Sequence, residues 1–269
     1  MALPVPRDLP MLPGPRVRAM VVLWNPDAKI EHIVSVVEGD PSLTAALLRA
    51  ANSALSAPIE PITTAREAVL RMGWATSRQI ITAGLASSQF DRLGEAGLDV
   101  QDLWRHLLAT GLLTEALATN PEERSMAFVA GLLHDLGRLS MAAQNPARYE
   151  QVVALVRQGI AVDDAERRRY GMTHSAWGAR VCDAWGLPAT VREAASGHHT
   201  PDCPGIGRLV CQARELAWSL GIGDGLEYPT HGELEPDPDS PAAGVLATLG
   251  GREGLNARIR WYREAFGPR

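Results

Sequence analysis

The stretch Gly131-Leu132-Leu133-His134-Asp135-Leu136-Gly137-Arg138-Leu139 sets an adjacent His-Asp pair in an otherwise apolar run, predicted to belong to one helix over 125 to 142. Apolar packing gives no reason for such a doublet, so it points to site chemistry. Successive helix positions are about 100° apart, which lets the imidazole and the carboxylate lean toward one point and share a metal ion or a phosphate-bearing ligand. Of the seven histidines, His106, His134, His174, His198 and His199 fall in one block, spread over several predicted helices or helix ends. That spread suits a site assembled between packed helices. His32 and His231 read as surface residues.

Working outward from the doublet, apolar residues recur at 3.6-residue spacing almost throughout, and alternating runs rich in Val, Ile and Thr are missing. The fold class is therefore all-α. Ile30, Ile33, Val34 and Val37 form one stripe, and Asp40-Pro41 supplies an N-cap and a first-turn proline before Leu43 to Ala51. Thr64 and Glu67 form a capping box ahead of Ala65, Ala68, Val69 and Met72, with Gly73 as the C-terminal stop. Asn52 is predicted to end its helix in the left-handed conformation. Further helices are expected over roughly 75 to 88, 100 to 119, 146 to 158, 173 to 185, 189 to 197 and 205 to 220. A polar stretch with Gly94 and Gly97 marks a junction near Phe90 to Asp99, and Gly221 to Gly244 reads as an acidic surface loop ahead of a short helical tail. The expected organisation is an N-terminal helical half over 1–95, a histidine-bearing half over 96–220, and an acidic loop with a helical extension over 221–269.

At 269 residues, 46% hydrophobic and 21% charged, the chain can bury one large core or two smaller ones. A net charge of -5 supplies no field for nucleic acid or anionic lipid, so neither is an expected partner. Arg167-Arg168-Arg169 follows Asp163, Asp164 and Glu166 within two helical turns, which reads as a solvated amphipathic face. Cys182, Cys203 and Cys211 are odd in number and lack CxxC spacing, which argues for reduced thiols and a cytoplasmic setting. The segment Met1 to Pro6 has no charged and apolar leader pattern, and no run approaches the roughly 18 apolar residues of a membrane span.

Two blocks carry a family resemblance. Asp40 to Thr44, Leu47 to Ala54 and Leu70 to Gly73, followed by Leu103 to His106, Gly131 to Leu139, Tyr170 to His174, Trp185 to Pro188 and His198-His199, resemble the HDOD domains, bacterial signalling modules related to the HD phosphohydrolases. The likeness spans roughly residues 8 to 220. It implies a multi-helix bundle with an HD-like C-terminal half, a regulatory role through protein contacts, and often no hydrolase activity.

The resemblance also implies a ligand set. In metal-dependent HD enzymes a histidine, the His-Asp doublet and a later aspartate hold one ion, and further histidines build a second site. His106, His134 and Asp135 match the first three positions, and His174, His198 and His199 match the additional histidines. Where the later aspartate is expected, the helix Leu209 to Ala217 carries Arg214. Replacing a carboxylate by a guanidinium changes the local charge by two units, and one unit pair at 4 Å is worth about 4 kcal/mol at an effective dielectric near 20. Arg214 therefore disfavours a divalent ion and a complete binuclear centre. It could instead pair bidentately with Asp135, or meet an anionic ligand beside Arg138. Asp224 could supply the missing carboxylate, but its place in a Gly-rich turn beyond the helix makes it a poor candidate.

Each of these residues also has a structural reading. His174 shares a stripe with Trp177, Gly178, Val181, Cys182 and Trp185, His106 sits among Leu103, Leu107 and Leu108, and His198-His199 beside Gly197 could cap carbonyls. Trp104, Trp177 and Trp185 read as core anchors. The Gly-Tyr-Pro mark of the cyclic-dinucleotide-cleaving HD branch is missing, since Thr200-Pro201-Asp202-Cys203-Pro204 follows His198-His199. Taken together, the expectation is a regulatory module with a protein partner in signalling and a small anionic or nucleotide ligand. The alternative is a phosphohydrolase of nucleotides or cyclic dinucleotides using one divalent ion (Fe, Mn, Zn, Ni or Mg), with Asp135 and Arg138 in the catalytic roles.

Overall fold

The computed structural model describes residues 19–20, 22–23, 25, 27–89, 93–228 and 236–266, and among these every regular element is helical. The expected all-α class is what the structure has. The chain divides into two compact units: described residues up to 89 join 253–266 in one, and residues 93–252 form the other. The segment predicted as a single extension, 221–269, is thereby shared between the two.

In the smaller unit, α1 (Ile30–Glu38) buries Ile33 and Val37, the inner edge of the predicted stripe. Asp40 caps α2 (Pro41–Ala51) by accepting from the backbone N–H groups of Ser42 and Leu43. Thr64 and Glu67 close the capping box at the start of α3 (Ala65–Met72), which ends at Gly73 with φ +80°, and α4 (Trp74–Gln89) follows. Asn52 departs from expectation, for its backbone is not left-handed (φ -96°). Its side chain is employed elsewhere. Nδ2 donates to the carbonyls of Leu48 and Ile62 while Oδ1 accepts from Ile62 N–H, clamping the loop that follows α2.

In the larger unit, α5 (Val100–Leu117) and α6 (Pro121–Leu132) pack as a hairpin, and α12 (Gly205–Ser219) lies against both. The helix predicted over 125 to 142 is broken. α6 ends at Leu132, a turn holds Leu133 to Asp135, and α7 (Leu136–Gln144) begins afterwards. Apolar periodicity runs through the turn, so the break leaves no mark in the pattern, yet it releases His134 and Asp135 from helical spacing. α8 (Pro146–Arg157), α9 (Val162–Tyr170), α10 (His174–Trp185) and α11 (Ala189–Gly197) complete the unit with α13 (Pro241–Thr248), and α14 (Gly251–Phe266) ends the described chain.

α7 and α10 cross with almost no separation. A Cβ on Gly137 would stand 1.9 Å from the His174 carbonyl oxygen and 2.6 Å from the Gly178 nitrogen, so only glycine permits this approach. Trp177 Nε1 donates to Ser140 Oγ at 3.0 Å across the same seam. The crossing brings the turn with the doublet beside the first residue of α10, His174.

Candidate metal centre

Five elements deliver the site. α5 supplies His106, the α6–α7 turn supplies His134 and Asp135, α7 supplies Arg138, α10 supplies His174, and the end of α11 supplies His198 and His199. The structure brings all six predicted ligands together. His106 Nε2 lies 3.3 Å from His134 Nε2, while Asp135 Oδ1 lies 3.3 Å from His198 Nε2 and 3.4 Å from His174 Nε2. His174 Nε2 is 3.1 Å from His198 Nε2 and 2.9 Å from His199 Nε2. His106, His134, Asp135, His174 and His198 are all buried, at no more than 1% exposure, whereas His199 reaches solvent at the edge of the cluster.

Outer hydrogen bonds fix the rings. His134 Nδ1 donates to the Gly131 carbonyl at 2.6 Å, and His198 Nδ1 to the Ala194 and Ala195 carbonyls at 3.1 Å each. His198 thus caps carbonyls through Nδ1 while its Nε2 faces the cluster. His174 Nδ1 donates to Glu166 Oε2 at 2.7 Å, the same oxygen accepts the His174 backbone N–H at 2.6 Å, and Tyr149 donates to Glu166 Oε1 at 2.8 Å. With protons committed outward, Nε2 of His134, His174 and His198 each turn a lone pair inward.

Burial pushes the His106 imidazole down to about 4, against the pull of Asp224 and Asp135, and His134 down to about 3. Burial likewise holds His198 well below its ordinary value, and burial with the Arg214 charge takes His199 to about 2. These rings are neutral near pH 7, the form that ligates metals. Burial works against the charges of Asp135 and Asp224, but Arg138 wins in both, holding Asp135 well below the usual carboxylate range and Asp224 at about 2.

Three carboxylate and guanidinium placements differ from expectation. Glu166, read as part of a solvated face, is fully buried as the anchor of His174, although Arg167 beside it does pair with Asp163 and Asp164 at the surface. Its helix, α9, was not among the predicted elements. Asp224, read as a surface loop residue and a poor candidate, is buried at the cluster, with Oδ2 2.6 Å from Arg138 Nη1 and Oδ1 accepting from Leu226 and Glu227 N–H. Both its oxygens are thereby employed. Arg214 is not the partner of Asp135 that the sequence suggested, since its Nη1 donates to the His198 carbonyl at 3.1 Å and to His199 Nδ1 at 3.2 Å. Arg138 takes that place, 3.5 Å from Asp135 Oδ2. Of the two histidines read as surface residues, His32 is exposed, its Nδ1 accepting from Lys29 N–H, and His231 lies outside the described residues.

The donor chemistry fits a cation. His106, His134 and Asp135 offer ligand atoms within 4.8 Å of one another, as do His174, His198 and His199. Asp135 Oδ1 is buried without a hydrogen-bond donor while facing two imidazole lone pairs, an arrangement a positive charge would relieve. His106, His134, Asp135 and His198 would hold it.

An all-helical domain with a buried histidine–aspartate cluster at an interhelical turn defines the class. Residues 9–201 match the HDOD domain family, to which this chain belongs. No curated protein matches it. Among solved structures, an HDOD domain protein of unknown function from Geobacter sulfurreducens is 25% identical with a TM-score of 0.69, over 96% of this chain and 92% of that one. A candidate phosphohydrolase from Shewanella amazonensis SB2B is 22% identical with a TM-score of 0.69, over 96% and 94%. A candidate signal-transduction protein from Marinobacter aquaeolei VT8 is 23% identical with a TM-score of 0.68, over 96% of this chain and 59% of that one. The last two establish likeness of fold. No helix among the described residues is long and apolar enough to cross a membrane.

Proposed function

We propose that this HDOD domain is a cytoplasmic regulatory module of bacterial signal transduction that acts by binding another protein, without hydrolysing a phosphate ester. The observation that carries this reading is the burial of Arg138 against the carboxylates of the cluster. A buried guanidinium 3.5 Å from Asp135 Oδ2 and 2.6 Å from Asp224 Oδ2 engages one oxygen of each carboxylate and leaves only Asp135 Oδ1 for an ion, and the burial of His106, His134, Asp135, His174 and His198 leaves a substrate only the side of His199 to approach. The smaller unit carries the partner surface. There Leu55 and Ile59 stand exposed on the loop clamped by Asn52, and Arg71 Nη2 donates to the Ser56 carbonyl, tying that loop to α3 beside exposed Leu70. Exposed apolar side chains on a braced loop are features of a protein-binding surface.

The test is hydrolysis of bis(p-nitrophenyl) phosphate and of a panel of nucleotides and cyclic dinucleotides, with Mn, Fe, Ni, Zn or Mg added. No turnover above a His134→Ala control is expected. Turnover that His134→Ala removes would establish the second reading, a metal-dependent phosphohydrolase, which the convergence of neutral imidazoles on Asp135 favours.

A further inference from the structure

We infer that Arg214 limits the histidine–aspartate cluster to a single cation by holding His199 in the tautomer that cannot serve as a ligand. A guanidinium has only N–H groups to offer, so His199 Nδ1, 3.2 Å from Arg214 Nη1, must accept. In the neutral ring the proton then sits on Nε2. That N–H points at His174 Nε2, 2.9 Å away, and His174 can accept there because its own proton lies on Nδ1 and is donated to Glu166 Oε2 at 2.7 Å. The bonds run in one direction from Arg214 through His199 and His174 to Glu166, which Tyr149 also steadies at 2.8 Å. Each hydrogen bond along this path has one donor and one acceptor without any ion.

The other side of the cluster is not locked in this way, for His106 Nε2 faces the His134 Nε2 lone pair at 3.3 Å but no donor holds His106 Nδ1 as an acceptor, so the proton of that ring can move to Nδ1. Nε2 of His134 and of His198 are lone pairs, because Nδ1 of each donates to a backbone carbonyl, and Asp135 Oδ1 lacks a hydrogen-bond donor. These acceptors, with His106 Nε2 at 3.3 Å from His134, make one ligand set for one divalent cation. The second geometrically plausible set, His174, His198 and His199, is spoiled because His199 presents a hydrogen and the Arg214 charge stands behind it. This inference goes beyond the regulatory reading and holds whether or not the domain turns over a substrate.

Two measurements test it. Long-range 1H–15N correlation spectra of the metal-free protein should show His199 protonated at Nε2 and bare at Nδ1; the opposite tautomer overturns the inference. Equilibrium dialysis of chelator-stripped protein against Mn2+ or Zn2+, read by elemental analysis, should give one ion per chain for the wild type and for His199→Ala, and two for Arg214→Asp. The folding of each variant is checked by circular dichroism. Two ions in the wild type, none in it, loss of the ion in His199→Ala, or a single ion in folded Arg214→Asp each overturn it. Should Arg214→Asp fail to fold, the His199 tautomer and the His199→Ala stoichiometry still decide.

Discussion

Arg138 Nη1 and Asp224 Oδ2 form a 2.6 Å ion pair between α7 and the loop after α12, with both side chains almost wholly removed from solvent. The loop is built to present that carboxylate. Asp224 N–H donates to the Glu227 carbonyl, and Gly225, at φ +79° and with space for no Cβ, passes its carbonyl to the Asp99 N–H that precedes α5. Removing one partner of a buried pair strands the other charge, at a cost of about 3–5 kcal/mol. Arg138→Met should therefore lower unfolding stability by that amount in urea titration, while Arg138→Met with Asp224→Asn should cost clearly less than the sum of the single changes. Strictly additive effects would deny the coupling.

What the sequence disclosed follows from range. Asp40, Thr64, Glu67 and Gly73 act on neighbours within four residues, so the helix ends they set could be read directly. The His-Asp doublet and the histidine block were legible because those residue types are rarely buried without a purpose. Glu166 was not. It sits between acids and a run of arginines, and only the approach of His174 from another helix buries it. Asp224 was undervalued for a similar reason, since a Gly-rich turn gives no hint that Arg138, 86 positions away in sequence, will draw it inside. The Gly137 crossing decides the site and depends on backbone contact with His174, which no local periodicity encodes.

That crossing makes a sharp prediction. Gly137→Ala inserts a methyl where the His174 carbonyl already stands, so α7 and α10 must part and Asp135 must leave Nε2 of His174. Overpacking typically costs about 1–3 kcal/mol, and a rigid backbone contact puts this change at the upper end. A drop in melting temperature of several degrees, with chemical-shift changes at His174 and His198, is the expected result. Wild-type stability in Gly137→Ala would mean that the two helices are not in this contact.

Glu166 serves three donors at once: Tyr149 O–H, His174 Nδ1–H and His174 N–H. Deleting the carboxylate in Glu166→Ala leaves all three buried without an acceptor, each unsatisfied group costing about 1–3 kcal/mol. Tyr149→Phe removes a single bond and should cost about 1 kcal/mol by comparison. Denaturant unfolding of the two variants should therefore separate them clearly. Equal losses would place Glu166 outside the role of anchor for His174.

Stability should also depend on pH in a defined window. Burial lowers the folded-state values of His106 to about 4 and His134 to about 3, from 6.5 in the unfolded chain. The unfolded chain thus takes up protons first, so the stability from these neutral rings is complete above pH 6.5 and is lost as pH falls from 6.5 toward 4. The loss is roughly 1 kcal/mol per pH unit for each histidine. Of the groups facing them, Asp135 and Asp224 are held below the usual carboxylate range and Arg138 well above its ordinary value, so these keep their charge through that window. Urea titrations of chelator-stripped protein at pH 7 and pH 5 should show a marked decrease. Equal midpoints at the two values would contradict neutral, buried imidazoles.

The last prediction separates the two halves by what they do. Leu55 and Ile59 contribute nothing visible to a core, Ile59 being fully exposed, whereas Asn52 and Arg71 spend four side-chain hydrogen bonds bracing the loop that presents them. A loop held this firmly around outward apolar side chains is suited to protein contact. Replacing both by Glu should leave melting temperature nearly unchanged, since surface substitutions away from such bracing usually fall within about ±0.5 kcal/mol. The double variant should nevertheless fail to complement a strain lacking the gene. His134→Ala, in contrast, should retain complementation wherever its fold is intact by circular dichroism, because the imidazole is itself wholly buried. The reverse outcome, with Leu55→Glu and Ile59→Glu complementing and folded His134→Ala not, would move the output from the braced loop to the buried cluster.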